Sequence, residues 1–198
     1  PYTAGHQYRV SQLATRIAQE LKLPLGKIEV VRIASIIHDI GKIGISESVL
    51  CKRGKLDESQ ARQIKAHPRI GADILNGIKQ MKQIVPAVLC HHERPDGKGY
   101  PCGLVSEQIP LMAKIIKVAD AFDAMTSKRT YRDAMSIKRA LEEISKSAGT
   151  DFDNEVAEVF LESDITKLWS IIHDGFIESW DYSNFDEYGH KAVGTLLK

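Results

Sequence analysis

The chain has 198 residues, 43% of them hydrophobic and 27% charged, which is enough for one substantial core and not for several independent domains. A formal net charge of +1 leaves no broad basic field, so nucleic-acid binding through an electrostatic footprint is not indicated and any anion site has to be local. Cys51, Cys90 and Cys102 are odd in number and lack metal-knuckle spacing, which fits reduced thiols, and no apolar run of membrane-spanning length or signal sequence is visible; a soluble, cytoplasmic protein is expected.

The first predicted element is an amphipathic helix from about His6 to Leu23, with Val10, Leu13, Ala14, Ile17, Ala18 and Leu21 at helical spacing and Pro24 beyond its end. A second runs from about Lys27 to Ile40. Its apolar positions Val30, Val31, Ile33, Ala34 and Ile37 bury it, and it delivers His38 and Asp39 to the core, with Lys42 one turn on and Gly41 and Gly44 ending the helix. A buried Asp needs a positive neighbour, and the candidates are Lys42 and a metal ion. Asp57 with Gln60 reads as a capping box for a third helix that ends at His67, where Pro68 breaks it. Ile70, Ile74 and Leu75 continue a short helix to Gly77, and Pro86 opens the next one, which carries Val88, Leu89, Cys90, His91 and His92.

From Glu93 to Pro110 the periodicity stops in a glycine- and proline-rich stretch, Arg94-Pro95-Asp96-Gly97-Lys98-Gly99-Tyr100-Pro101-Cys102-Gly103, which predicts a shaped, functional loop. Pro110 opens a helix to Met125 with Asp120 and Asp123 on one face. Ser136 caps a helix bearing Ile137, Ala140, Leu141 and Ile144 that stops at Gly149, and Asp153 starts another bearing Val156, Val159 and Phe160. Leu168 to Ile172 completes the helical pattern, and Phe176 to Lys198 gives no period.

Five of the seven histidines, His6, His38, His67, His91 and His92, fall at helix ends or beside the glycine-rich loop, together with Asp39 and Asp120 on apolar helices. A lone buried histidine is more often a hydrogen-bonded core residue than a ligand. So many such groups from separate segments are hard to explain as independent accidents, and they amount to ligands for two metals. Imidazole and carboxylate without thiolate favour Mn or Fe, with Zn, Ni or Co as alternatives.

These blocks resemble the HD-GYP domain, a branch of the HD metal-dependent phosphohydrolases that cleaves cyclic dinucleotides in bacteria. The resemblance runs from about His6 to Phe160. It rests on H-x-x-R-V from His6, HDIGKIGI from His38, the His67-Pro68 step, HHERPDGKGYP from His91 and ADAFDAMTSKRTYR from Ala119. It implies an all-α helical bundle with a metal centre in its core, spanning residues 1–162, with 163–198 as an extension packed on the same domain. By position, His6, His38, Asp39, His67, His91, His92 and Asp120 match metal ligands, with Asp39 bridging two ions. Lys42 matches the lysine beside the site, Arg129 and Arg132 match the residues that hold substrate phosphates, and Asp123 fits a supporting role that orients Lys42. In the loop, Gly97 and Gly99 let backbone approach the substrate, and Tyr100 either packs under the loop or contacts a base.

The resemblance also has departures. Members with a third metal carry a Glu where this chain has Tyr2, so two ions are expected. Pro95 stands where the family often has Trp, and Thr130 where it often has Pro. His173-Asp174 lacks a following Gly-Lys and reads as incidental. The implied activity is hydrolysis of cyclic di-GMP to linear pGpG or GMP. Rival readings are a mixed cyclic GMP-AMP hydrolase and a nucleotide sensor or docking module without turnover. The implied partners are a receiver or sensor domain outside this chain, consistent with a start at Pro1, and GGDEF-type cyclases docking through the GYP loop.

Overall fold

A computed structural model describes residues 2–52, 54–127, 134–164, 167–169 and 172; the side chains of residues 2–4 are also outside the description. Among the described residues the architecture is all-α, as expected, with nine helices: α1 Tyr2–Glu20, α2 Leu25–Ile37, α3 Glu47–Leu50, α4 Glu58–Lys65, α5 His67–Asn76, α6 Val85–Cys90, α7 Leu111–Thr126, α8 Ile137–Lys146 and α9 Asn154–Glu162. Short 3-10 turns cover Ile40–Gly44, Lys79–Met81 and Ser106–Gln108.

Helix α7 is the central element because it contributes to three apolar clusters, the smallest through Ala113 with Cys90 and Ile109. Ile115, Val118 and Phe122 face Val10, Leu13 and Ile17 of α1, Ala140 and Ile144 of α8, and Val156 and Phe160 of α9. Ile116 faces the other way, into a second cluster with Ala34 of α2, Leu75 of α5, and Ala87 and Val88 of α6. Within the first cluster Phe122 meets Phe160 edge-on at 5.1 Å and Trp169 edge-on at 5.4 Å. Each such fully buried aromatic side chain contributes about 1.5–3 kcal/mol of apolar transfer. Trp169 and Ile172, from the segment after α9, belong to this same core.

Several boundaries differ from the sequence-based expectation. Helix α2 stops at Ile37, with His38 as its C-cap, so Asp39 caps the following 3-10 turn, Lys42 lies within that turn, and neither is on the helix. Gly41 does not end a helix. A Cβ there would run into the backbone of His67 and Gly71, so glycine lets this turn lie against α5. His67 opens α5 and does not close α4, because Pro68 occupies the first turn, where its missing N–H costs nothing. The capping box at Asp57 and Gln60 is formed, and Ser136 and Asp153 accept the backbone N–H of Arg139 and Val156.

Candidate metal centre

Three histidines are aimed in the same way. His38 Nδ1 lies 2.6 Å from Ser35 O, His67 Nδ1 2.7 Å from Ile64 O, and His91 Nδ1 2.6 Å from Val88 O. Each acceptor is a carbonyl in the last turn of α2, α4 or α6, three residues before its histidine. A carbonyl oxygen has no proton to give, so Nδ1 carries a hydrogen and Nε2 is the nitrogen left to face inward.

Those nitrogens converge. His67 Nε2 and His91 Nε2 are 3.2 Å apart, and His38 Nε2 is buried with no hydrogen-bond partner. Burial pushes the His91 imidazole well below its ordinary pKa, as do the neighbouring His92, His38 and His67. At this distance the two Nε2 atoms share at most one proton between them, and an intervening cation would take up both lone pairs. The residues therefore fit a metal on their own geometry.

Asp39 supplies negative charge at the centre. Its Oδ1 lies 3.2 Å from His67 Nε2, and its Oδ2 lies 3.6 Å from His38 Nε2 and 2.5 Å from Lys42 Nζ. Burial alone would raise this carboxyl, but His67, His38 and Lys42 together hold it well below the carboxylate range. Asp120 is also held below that range by His6, His38 and His92 against the effect of burial.

His6 joins from α1. Its Nδ1 donates to Asp123 Oδ2 at 2.7 Å and its Nε2 lies 3.3 Å from Asp120 Oδ1. Burial would lower this imidazole, but the hydrogen bonds to Asp120 and Asp123 outweigh it and raise the pKa to about 9. His92, by contrast, is lowered to about 3, chiefly by burial. Donor atoms gather into overlapping groups within 4.8 Å: His67, His91 and His92; His6, His38 and Asp120; and His38, Asp39 and His91. Every residue matched to a ligand by sequence has an atom in at least one group.

Two expectations about neighbouring residues are corrected. Asp123 does not orient Lys42. It is almost fully buried and accepts from His6, from Arg9 Nε at 2.5 Å and from Arg9 Nη2 at 3.2 Å, whereas Lys42 pairs with Asp39. Gly97 and Gly99 do not open the loop toward a ligand. A Cβ on Gly99 would collide with the backbone of Glu93 and Arg94, and one on Gly97 would meet Val105 Cγ1 at 3.0 Å, so both vacancies are filled by the loop itself.

Tyr100 stacks on His92, ring centroids 4.7 Å apart and 21° from parallel, and Lys65 Nζ lies 5.5 Å from the tyrosine ring. Glu93, missed as a contributor in the sequence, is 1% exposed and accepts the backbone N–H of Cys102 at 2.6 Å and of Leu104 at 2.9 Å. It ties the far limb of the loop to the histidine pair. The signal that would have found it is a lone carboxylate between two histidines and a loop rich in unpaired N–H groups. Arg129, Arg132, Thr130 and the His173-Asp174 pair lie outside the described residues, as does the Tyr2 side chain.

The family model described as "HD domain" matches residues 1–156. Among curated proteins, the chain is 41% identical over 161 residues to the cyclic di-GMP phosphodiesterase response regulator RpfG of Xanthomonas campestris, covering 80% of this chain and 43% of that protein. It is 41% identical over 155 residues to the 3'3'-cGAMP-specific phosphodiesterase 3 of Vibrio cholerae, covering 78% of this chain and 34% of that protein. The chain thus spans less than half the length of either relative. Among solved structures, Bd1817, an HDG"Y"P protein from Bdellovibrio bacteriovorus, shares the fold with a TM-score of 0.68 at 20% identity, over 83% of this chain and 52% of that one. With a family model matching most of its length and the ligand geometry described above, the chain belongs to the HD domain family.

Proposed function

We propose that this chain is a metal-dependent phosphodiesterase that hydrolyses cyclic di-GMP, using two divalent ions, Fe or Mn before Zn, Ni or Co. The observation that carries the reading is the opposed pair of His67 and His91 Nε2 atoms at 3.2 Å beside an ionised Asp39 and the unpartnered His38 Nε2. His6, His38, Asp39, His67, His91, His92 and Asp120 would hold the ions, with Asp39 shared between them. When bound, divalent cations supply Lewis-acid activation of water and neutralise charge on a phosphodiester.

The chain's own groups do the rest. Asp39 is kept ionised by Lys42 and by the surrounding imidazoles, and Lys42, whose side chain is 39% exposed, can reach a departing sugar oxygen to donate a proton or stabilise its charge. Asp123 fixes the ring of His6, and the Tyr100 ring lies on His92. Arg129 and Arg132 are proposed to grip the substrate phosphates through their guanidinium forks. The catalytic unit is read as 1–162, with the segment from 163 packed on it through Trp169 and Ile172. Regulatory domains beyond this chain and cyclases docking at the GYP loop are the proposed partners.

A second reading, hydrolysis of mixed cyclic GMP-AMP, is favoured by a relative at 41% identity whose name specifies that substrate. The test is metal analysis of purified protein with chromatography of products from both cyclic dinucleotides. Bound metal with pGpG or GMP from cyclic di-GMP is expected. Preferential turnover of the mixed nucleotide supports the second reading, and bound metal with no turnover leaves a sensor or docking module.

A further inference from the structure

The geometry points to Arg9 and Trp169 as positioning residues that reach the metal centre through Asp123 and His6. The inference rests on the metal-centre reading above. Asp123 is 1% exposed, so its charge has to be matched inside the protein. One side of the carboxylate receives His6 Nδ1 at 2.7 Å. The Arg9 guanidinium donates from the other side, with Nε 2.5 Å from Oδ1 and Nη2 3.2 Å from Oδ2, and Ser127 Oγ adds a longer contact of 3.4 Å to Oδ1. Arg9 Nη2 also reaches Ser127 Oγ at 3.0 Å, which fixes the plane of the fork to the end of α7. Without the fork, only the long Ser127 Oγ contact would hold the carboxylate against His6, and His6 would lose the rigid partner that commits its Nδ1 proton and leaves Nε2 facing Asp120.

The guanidinium is itself held from beyond the region matched by the family model, which stops at residue 156. Arg9 Cζ lies 5.8 Å from the centre of the Trp169 ring, within the range of a cation–π contact. The ring is 5% exposed and is wedged edge-on against Phe122, the residue beside Asp123 on α7. The segment after α9 thereby completes a chain of contacts, Trp169 to Arg9 to Asp123 to His6.

The test compares Mn²⁺ affinity and stoichiometry of the wild type with those of Arg9→Lys, which keeps the charge and loses the fork, and of Trp169→Leu and Trp169→Phe. Melting is followed in parallel. Expected are roughly 10-fold weaker binding of the most weakly held ion in Arg9→Lys and Trp169→Leu, and near wild-type binding in Trp169→Phe, which restores an aromatic face. A purely structural role would lower the melting temperature in the variants and leave the affinity of the folded fraction unchanged, and that result overturns the inference. Should the variants not fold, the wild-type protein decides. Titration with diamagnetic Zn²⁺ should shift the Arg9 Nε–H and Trp169 indole N–H resonances together, and unmoved resonances at saturating Zn²⁺ overturn it. A wild-type protein that binds no divalent ion would instead remove the metal-centre reading itself.

Discussion

Asp39→Ala and Lys42→Ala are expected to fail in different ways. Asp39 touches His67, His38 and Lys42 at once, so its loss should empty the site; elemental analysis should show a larger loss than the roughly 10- to 100-fold drop in affinity that follows removal of an outer partner. Lys42→Ala should retain metal while turnover falls about 100-fold, since a proton donor matters most in the transition state. Unchanged turnover in a metal-replete variant would reduce Lys42 to a counter-charge for Asp39. The imidazoles also set a pH dependence for the metal-free protein. His6 is raised from 6.5 to about 9, so its contribution is full below 6.5 and is lost as pH rises to about 9. His92 is lowered to about 3, so its unfolded form takes up a proton first and stability falls as pH drops from 6.5 toward 3. Denaturation midpoints of chelator-treated protein should therefore peak near pH 6.5, with slopes of about 1.4 kcal/mol per pH unit for each proton. A monotonic profile would contradict this. The ligand candidates were legible in the sequence because they are polar groups at the ends of apolar helices. The partners of Asp123 were not, since Arg9 lies 114 residues away and no local spacing records that pairing.

At the scale of elements, the close seating of the Ile40–Gly44 turn on α5 explains how Asp39 and His67 come within 3.2 Å. Gly41→Ala should push these elements apart, with a cost of about 3 kcal/mol in chemical denaturation and lower metal content in the folded protein. Wild-type metal content in a fully folded variant would separate the turn from the site. Helix existence was readable wherever apolar residues recurred over several turns, as in α1, α7 and α8. Shorter pieces carried too little periodicity: α3 spans only Glu47–Leu50 and was not anticipated. Pro68 was misread because a proline fits equally after a helix end and within a first turn, and only the tertiary placement of His67 decides between them.

Over the whole molecule, donors come from α1, the α2 end and its following turn, α5, the α6 end and α7, so an ion held by them binds the folded state alone. Metal at 1,000 times its dissociation constant should stabilise the domain by about 4 kcal/mol. That corresponds to about 8–16 °C in melting temperature, readable by calorimetry with and without chelator. An unchanged melting temperature on loading would mean that the ligands do not converge on one ion-binding core.

His6 and Asp123 are separated by 117 residues along the chain, and that separation sets a time on the ribosome. At ~5–20 residues per second, the histidine waits about 6–23 s for the carboxylate that aims it. A nascent or prematurely terminated chain thus carries imidazoles without the assembled cage. On the metal-centre reading, an ion held by the full set of ligands would await the finished domain.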